Sequence, residues 1–289
     1  MPGMKKVYPF KIPKSLHESL IVQIDRATVL YDKLHQHEEV QITYVVSGNG
    51  KLFVADSIHN FGPGDLFVIP SNSPHLFQNN IEEGIEAHMI SLFFSGNTVV
   101  KAFAHFPELG NIRSFLHELG AGMKLSPCPE NLAEQMQEFP SLVPFRKFTR
   151  FLSLLDRLTR VSKVPLTGFV YPKEISHNEG QRMRAIFEYV TNNFQKEISL
   201  NDIADLAYMT PNAFCRFFKQ RTNKTFFQFL IELRIEHACQ LLAQGHDVPI
   251  GEIAYKSGFR SISNFNRKFK ELKGMAPSKY YRSMEVGTF

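Results

Sequence analysis

The chain has little of what marks secreted, membrane-spanning or thiolate-metal proteins. Its three cysteines, Cys128, Cys215 and Cys239, are an odd number without a C-x-x-C pair. Neither a disulfide framework nor a cysteine zinc site is therefore expected. No apolar run approaches the roughly 20 residues of a membrane span. Met1, Pro2 and Gly3 ahead of Lys5 and Lys6 lack the apolar stretch of a secretory signal. These absences predict a cytoplasmic protein with no membrane partner.

What is present is a lopsided charge. The net charge of +5 looks mild, but residues 181–289 hold 16 Lys+Arg against 10 Asp+Glu, and residues 1–180 hold 17 against 18. The basic excess lies wholly in the C-terminal third, as expected where one domain meets a polyanion and the other does not. A length of 289 residues leaves room for two cores.

The first hundred residues read as β. Strand-like runs Val40 to Val46, Lys51 to Ala55, Leu66 to Ile69 and Ala87 to Phe94 are separated by turn signals. These are Ser47-Gly48-Asn49-Gly50, Gly62-Pro63-Gly64-Asp65 and Pro70-Ser71-Asn72-Ser73-Pro74. The pattern predicts an antiparallel barrel or sandwich. From about residue 99 it turns helical, with Phe145, Phe148, Leu152, Leu155 and Leu158 at three- and four-residue steps. Two readings of this stripe stay level: it covers the open side of a barrel, or it pairs with its copy in a second subunit. The expected division is a β domain with its helical segment over 1–163, a linker over 164–180 containing Pro165, Gly168, Pro172 and Gly180, and an all-α domain over 181–289.

That all-α domain repeats itself. Ile203-Ala204 matches Ile253-Ala254. Phe214, Phe218 and Lys219 match Phe265, Phe269 and Lys270, and Asn223 matches Gly274. The offset is 50 residues before the turn and 51 after it, so the second copy carries one extra turn residue. Each copy reads as a short helix, a turn and a second helix. Ser199, Thr210 and Ser261 are the expected N-caps, Pro211 takes a first helical position, and Gly258 supplies a turn. Aromatic residues spaced i, i+4 set one face of each second helix in the core. The other face then carries Asn212, Arg216 and Lys219 in one copy and Ser263, Asn264, Arg267 and Lys268 in the other. Arg pairs with guanine and Asn with adenine, Lys and Ser hold phosphate, and the helix starts at Thr210, Pro211 and Ser261 present free N–H groups. The candidate DNA contacts are these residues together with Lys270.

The motifs carry a resemblance. Ile203-Ala204-Asp205-Leu206-Ala207, Arg234-Ile235-Glu236-x-Ala238-x-x-Leu241-Leu242 and Ile253-Ala254-Tyr255-x-x-Gly258-Phe259 are followed by Phe265-x-Arg267-x-Phe269-Lys270-x-x-x-Gly274-x-x-Pro277-x-x-Tyr280-Tyr281-Arg282. Together they resemble the AraC/XylS family of bacterial transcription regulators over about residues 183–283. The resemblance implies tandem helix-turn-helix units joined by a long helix, here about 224–243, reading successive major-groove faces roughly one turn (about 10 bp) apart. Tyr208 stands where the family often has glycine, which implies a variant turn.

In the β region, His35-x-His37-x-x-x-Gln41-x₆-Gly48 and Gly64-x₅-Pro70-x₄-His75-x-x-x-Asn79 resemble the two cupin barrel motifs. The fold class implied is therefore α+β, a cupin-like β-barrel with accessory helices ahead of the all-α domain. In metal-dependent cupins the matching positions bind a divalent ion, which here gives His35, His37, Gln41 and His75. Gln41 replaces the usual carboxylate and removes charge from such a site. The expectation is accordingly an effector pocket of His35, His37, Gln41, His75 and His88 without metal or other cofactor. No catalytic residue is expected, and the chain reads as a regulator rather than an enzyme. Its expected partners are double-stranded DNA, a small-molecule effector, RNA polymerase, and a second copy of itself in a homodimer; polar pocket candidates permit a sugar or other small metabolite as effector, and the richness in phenylalanine permits a lipid or aromatic one.

Overall fold

The computed structural model describes residues 19–30, 34–80, 86–168, 177–243 and 248–285, except the side chains of 177, 284 and 285. The chain divides into two compact units, Met1–His177 and Asn178–Phe289.

In the first unit the strands are β1 (Leu20–Ala27), β2 (Val40–Ser47), β3 (Gly50–Val54), β4 (Ser57–Phe61), β5 (Leu66–Ile69), β6 (His75–Asn79), β7 (Ala87–Phe94), β8 (Met123–Leu125) and β9 (Val164–Pro165). They form a six-stranded sheet in the order β1-β7-β2-β5-β8-β9 and a three-stranded sheet in the order β4-β3-β6. Every pairing is antiparallel. The expected barrel is not closed. Among the described residues the strand pairing leaves two separate sheets facing one another.

Alternation along the strands builds two apolar layers. Ile42 and Tyr44 of β2, Leu66 and Val68 of β5, and Ile90, Leu92 and Phe94 of β7 form one cluster with helical residues. Their neighbours Val45, Phe67, Ile69, Ala87 and Met89 pack instead with Leu52, Val54, Phe61 and Phe77 of the smaller sheet. The helices on the outer layer are α1 (Gly96–Ala102), α2 (Gly110–Glu118), α3 (Glu130–Glu138) and α4 (Pro144–Arg160).

Helix α4 corrects the reading of its stripe. Phe151, Leu154, Leu155 and Leu158 are its buried residues and lie in the cluster under the six-stranded sheet. Phe145 is 76% exposed and Phe148 40% exposed. With 3.6 residues per turn, positions 151, 154, 155 and 158 share one face, and 145 and 148 drift off it. The helix therefore covers the sheet's outer face and still presents aromatic side chains to solvent. Of the segment expected as a linker, Val164–Pro165 pairs with β8, and Leu166 and Thr167 are buried. Pro172 lies outside the described residues.

The second unit is helical: α5 (His177–Asn193), α6 (Leu200–Leu206), α7 (Pro211–Thr222), α8 (Phe226–Ala243), α9 (Ile250–Lys256), α10 (Ile262–Lys273) and α11 (Pro277–Glu285). α6–α7 and α9–α10 are the two repeats, and α8 joins them. α8 buries Phe226, Phe229, Leu230, Leu233, Ile235, Ala238, Cys239 and Leu242, positions that circle the helix, so it has no solvent-only face. Its first turns stack edge-on with Phe214, Phe218 and Phe187. Its later residues share a cluster with Ile253, Ala254, Phe259, Phe265 and Phe269. One helix thereby serves as core for both repeats. Arg234 fixes it further, with Nε donating to the Phe194 carbonyl at 2.7 Å and Nη2 to that of Lys196 at 2.8 Å.

Candidate nucleic-acid interface and histidine pocket

The local chemistry at three helix starts follows the capping expectation. Ser199 Oγ accepts from the Asp202 amide at 3.1 Å, Thr210 Oγ1 from that of Ala213 at 3.4 Å, and Ser261 Oγ from that of Asn264 at 3.3 Å. Pro211 occupies the first turn of α7, where its missing N–H costs nothing. Each second helix ends in a left-handed residue, Asn223 for α7 and Gly274 for α10, the conformation that closes many helices.

These caps fix which side of each helix meets solvent. Phe214, Phe218, Phe265 and Phe269 are fully buried. Thr210, Asn212, Arg216 and Lys219 are exposed, as are Ser261, Ser263, Asn264, Arg267 and Lys270, with Pro211 half-buried. Arg267 Nη2 donates to Asn264 Oδ1 at 2.9 Å. Lys268 differs from its neighbours: it is partly buried, and its Nζ donates to Glu271 Oε2 at 2.8 Å. Three exposed residues escaped the sequence reading. Tyr255 and Lys256 lie at the end of α9 and Arg260 just ahead of α10. They line a cavity of about 810 Å³ with Asn264, Phe227 and Lys196.

A second constellation lies between the sheets of the first unit. His35 and His75 exchange backbone hydrogen bonds at 3.1 and 2.9 Å, which brings two segments 40 residues apart side by side. Gln41 follows at the start of β2, on the strand face it shares with Thr43 and Val45. The three imidazoles can bring ligand nitrogens within 4.8 Å of one another. Gln41 Oε1 sits 3.0 Å from His37 Nε2 and 2.9 Å from His75 Nε2. Gln41 Nε2 donates to Thr43 Oγ1 at 2.7 Å, and Thr43 Oγ1 lies 2.9 Å from Ser91 Oγ. Thr43 continues the period of two from Gln41, but Ser91, 48 residues from Thr43, gave no local signal.

The site is dry. His75 is 0% exposed, and His37 and Gln41 are buried too. Burial, then the nearby His35 and His37, hold the His75 imidazole well below its usual pKa. Burial also lowers that of His37, against hydrogen bonds that raise it. Both rings are therefore neutral near pH 7. Phe93 and Phe77 pack edge-on against His37 and His75, at 5.3 and 6.5 Å between centroids.

His88 stands apart. It shares a strand face with Ile90, Leu92 and Phe94, whose side chains pack on the helical layer, and it pairs in register with Arg26 and Ser47. Strand parity turns it away from the other four residues of the expected pocket. Its lowered pKa comes from burial and then the Arg26 charge.

Comparison with known proteins agrees with both halves. A model described as an AraC-like ligand binding domain matches residues 20–94, and one described as a helix-turn-helix domain matches residues 203–283. The chain is 25% identical over 255 residues to the HTH-type transcriptional regulator YdeC of Bacillus subtilis, covering 86% of each chain. It is 25% identical over 247 residues to the transcriptional activator RhaS of Pectobacterium carotovorum, covering 84% of this chain and 85% of that one. Among solved structures it is similar to ToxT from Vibrio cholerae, with 15% identity, a TM-score of 0.38, and 92% and 98% of the two chains covered. Among the described residues no helix is long and apolar enough to cross a membrane.

Proposed function

As a member of the AraC family of DNA-binding transcription regulators with an N-terminal ligand-binding domain, this chain, we propose, reads a specific DNA site through α7 and α10 under the control of a small molecule held between its sheets. The observation that carries the DNA half is the split character of both helices. Their phenylalanine faces are fully buried, and the opposite faces hold Arg216 and Arg267 in solvent. An arginine placed this way can bond guanine bidentately, while Asn212 and Asn264 suit adenine and Lys219 and Lys270 suit phosphate.

The effector half rests on the polar chain His37, Gln41, Thr43 and Ser91, buried in an otherwise apolar interior. A few convergent polar groups in an apolar setting are what a small-molecule site needs. A sugar or similar small metabolite fits that chemistry. Effector binding would shift DNA affinity by about 1–3 kcal/mol.

A homodimer would use the aromatic patch left uncovered on α4. Phe145 and Phe148 are exposed there, and Phe103 links Phe148 to the exposed Phe106 through ring contacts of 6.2 and 6.3 Å. RNA polymerase would be the partner on promoter DNA, in the cytoplasm. Selection of bound sequences from a randomised DNA pool tests the reading. The expected product is a site with two half-elements about 10 bp apart per chain, duplicated if the protein is dimeric. Recovery of DNA with no sequence preference would overturn it in favour of a non-specific architectural binder.

A further inference from the structure

The cavity of about 810 Å³ in the second unit lies where the segment entering the first repeat meets the turn of the second. Its floor is apolar, with Ile198, Leu230 and Phe259 buried. Its charge is one-sided. Lys196, Arg234, Lys256 and Arg260 line it, and Glu197 is the one carboxylate among the lining residues. Arg234 is tied down by its two carbonyl bonds. Burial, then the Arg260 charge, pulls that guanidinium below its usual pKa. Two guanidinium groups thus repel one another across the cavity, a conflict that an anion relieves.

The mobile charges stand on the rim. Arg260 Nη2 donates to Glu197 Oε2 at 2.6 Å, yet the two side chains are 76% and 70% exposed. Lys256 Nζ lies 2.8 Å from Glu252 Oε1 one turn back along α9, both half exposed. A small anion needs charges that converge on one sheltered point, whereas cations strung along an open edge match a long polyanion. Their place in the chain identifies it. Arg260 directly precedes the Ser261 cap of α10, and Asn264 of α10 lines the same cavity. Lys196 stands three residues ahead of the Ser199 cap of α6. In helix-turn-helix proteins the reading helix brings its first residues to base edges, while the helix before it crosses the backbone. Two reading helices in successive major grooves on one side of a duplex leave the minor groove and its flanking phosphates between them. The rim adjoins that stretch.

We propose that this rim grips the DNA backbone beside the element read by α10, with Lys196, Lys256 and Arg260 on phosphates, and that Glu197 competes with phosphate for Arg260. The inference rests on reading the second unit as a DNA-binding domain. The Tyr255 side chain, 78% exposed at the same edge, offers its hydroxyl as a further phosphate donor. Such contacts set affinity and position without choosing a sequence, a different task from that of Arg216 and Arg267. Without DNA, Glu197 neutralises Arg260 and softens the repulsion within the cavity. With DNA, Arg260 exchanges a carboxylate for a phosphate, and Glu197 is left facing the backbone. An exposed ion pair is weak, so the carboxylate trims DNA affinity and does not block it.

The test measures affinity against salt for the full chain, using a duplex from the randomised pool and its single-base variants. Arg260→Gln, a surface change checked by an unaltered Tm, should weaken every duplex alike by about three- to fivefold. It should also cut the slope of log K against log salt by about 0.9. Lys256→Gln should cut the slope by a similar amount. Glu197→Gln should tighten binding by about two- to fivefold, and most of that gain should vanish in the Arg260→Gln background. Unchanged affinity and slope in Arg260→Gln, with Arg216→Ala still impaired, overturn the rim contact and leave the reading helices standing. A loss confined to one base variant also overturns it, by making Arg260 a base contact. An equal gain from Glu197→Gln in both backgrounds overturns the competition. A wild type without sequence preference that shows the same slope changes keeps the rim and rejects the sequence-specific reading.

Discussion

In the first helix-turn-helix unit the turn ahead of α7 passes through Tyr208 with φ at 55°; in the second, the turn ahead of α10 passes through Gly258 with φ at 85°. The backbone takes the same left-handed step twice, once with a large side chain. Surroundings explain the difference. Tyr208 is 86% exposed, so its ring leaves the turn without meeting anything. A Cβ on Gly258 would lie 2.8 Å from the Phe194 carbonyl oxygen and 2.9 Å from the Arg234 guanidinium. There the turn is pressed against the end of α5 and the side chain that caps it. At the other end of each repeat the contrast relaxes. Asn223 and Gly274 both take positive φ, and a Cβ on Gly274 would meet nothing within 4 Å. Glycine is demanded by packing at one of the two positions and merely suits the backbone at the other.

Substitutions can break this comparison, and the largest effect belongs to the crowded turn. Gly258→Tyr, which copies the first unit, is expected to destabilise the protein by about 3 kcal/mol or more, since strain and overpacking add there. A urea midpoint matching the wild type would show that the two turns are interchangeable. Next come the proposed DNA contacts. Arg216→Ala should cost about 2 kcal/mol of affinity and relax preference at one base position. Arg267→Ala should do the same at a position about 10 bp away. Binding to single-base variants of the selected site would read both, and equal loss at every variant would reduce these residues to phosphate contacts.

The caps should be smaller and alike. Thr210→Ala and Ser261→Ala are each expected to lose about 1 kcal/mol, measured by urea denaturation. A loss at one site alone would mean that the repeats do not share their start. Tyr208→Gly should gain about 0.5 kcal/mol, because relief of the left-handed residue slightly exceeds the flexibility added to the unfolded chain. Smallest of all, Gly274→Asn should lie within about 0.5 kcal/mol of the wild type. Stability measurements on the pair would show whether space, rather than φ alone, sets the demand for glycine.

The second unit was legible for a physical reason. Caps at Ser199, Thr210 and Ser261 act across three residues, and Phe214/Phe218 and Phe265/Phe269 meet within one turn of helix. Left-handed positions at Asn223, Gly258 and Gly274 advertise themselves by residue type. Repetition at an offset of 50 to 51 then printed the same local message twice. The strands at 40–47, 50–54, 66–69 and 87–94 were legible in the same way, from runs and punctuation. β1, β4, β6, β8 and β9 were missed. β6 in particular begins directly after the Pro70–Pro74 turn signal, where sequence alone suggested a loop.

By itself, then, the sequence determined the helical repeat, its exposed basic faces, its helix ends and the presence of a β-rich partner domain, all consequences of contacts between near neighbours. Tertiary structure alone decided that the strands pair as two sheets without closing, that α4 splits its aromatic residues between core and solvent, and that His88 faces away. It also decided that His35, His37 and His75 converge on Gln41. The placing of Gln41 and His88 depends on pairing between segments 34 to 62 residues apart, and a shift of one residue in a strand register sends every side chain to the opposite face.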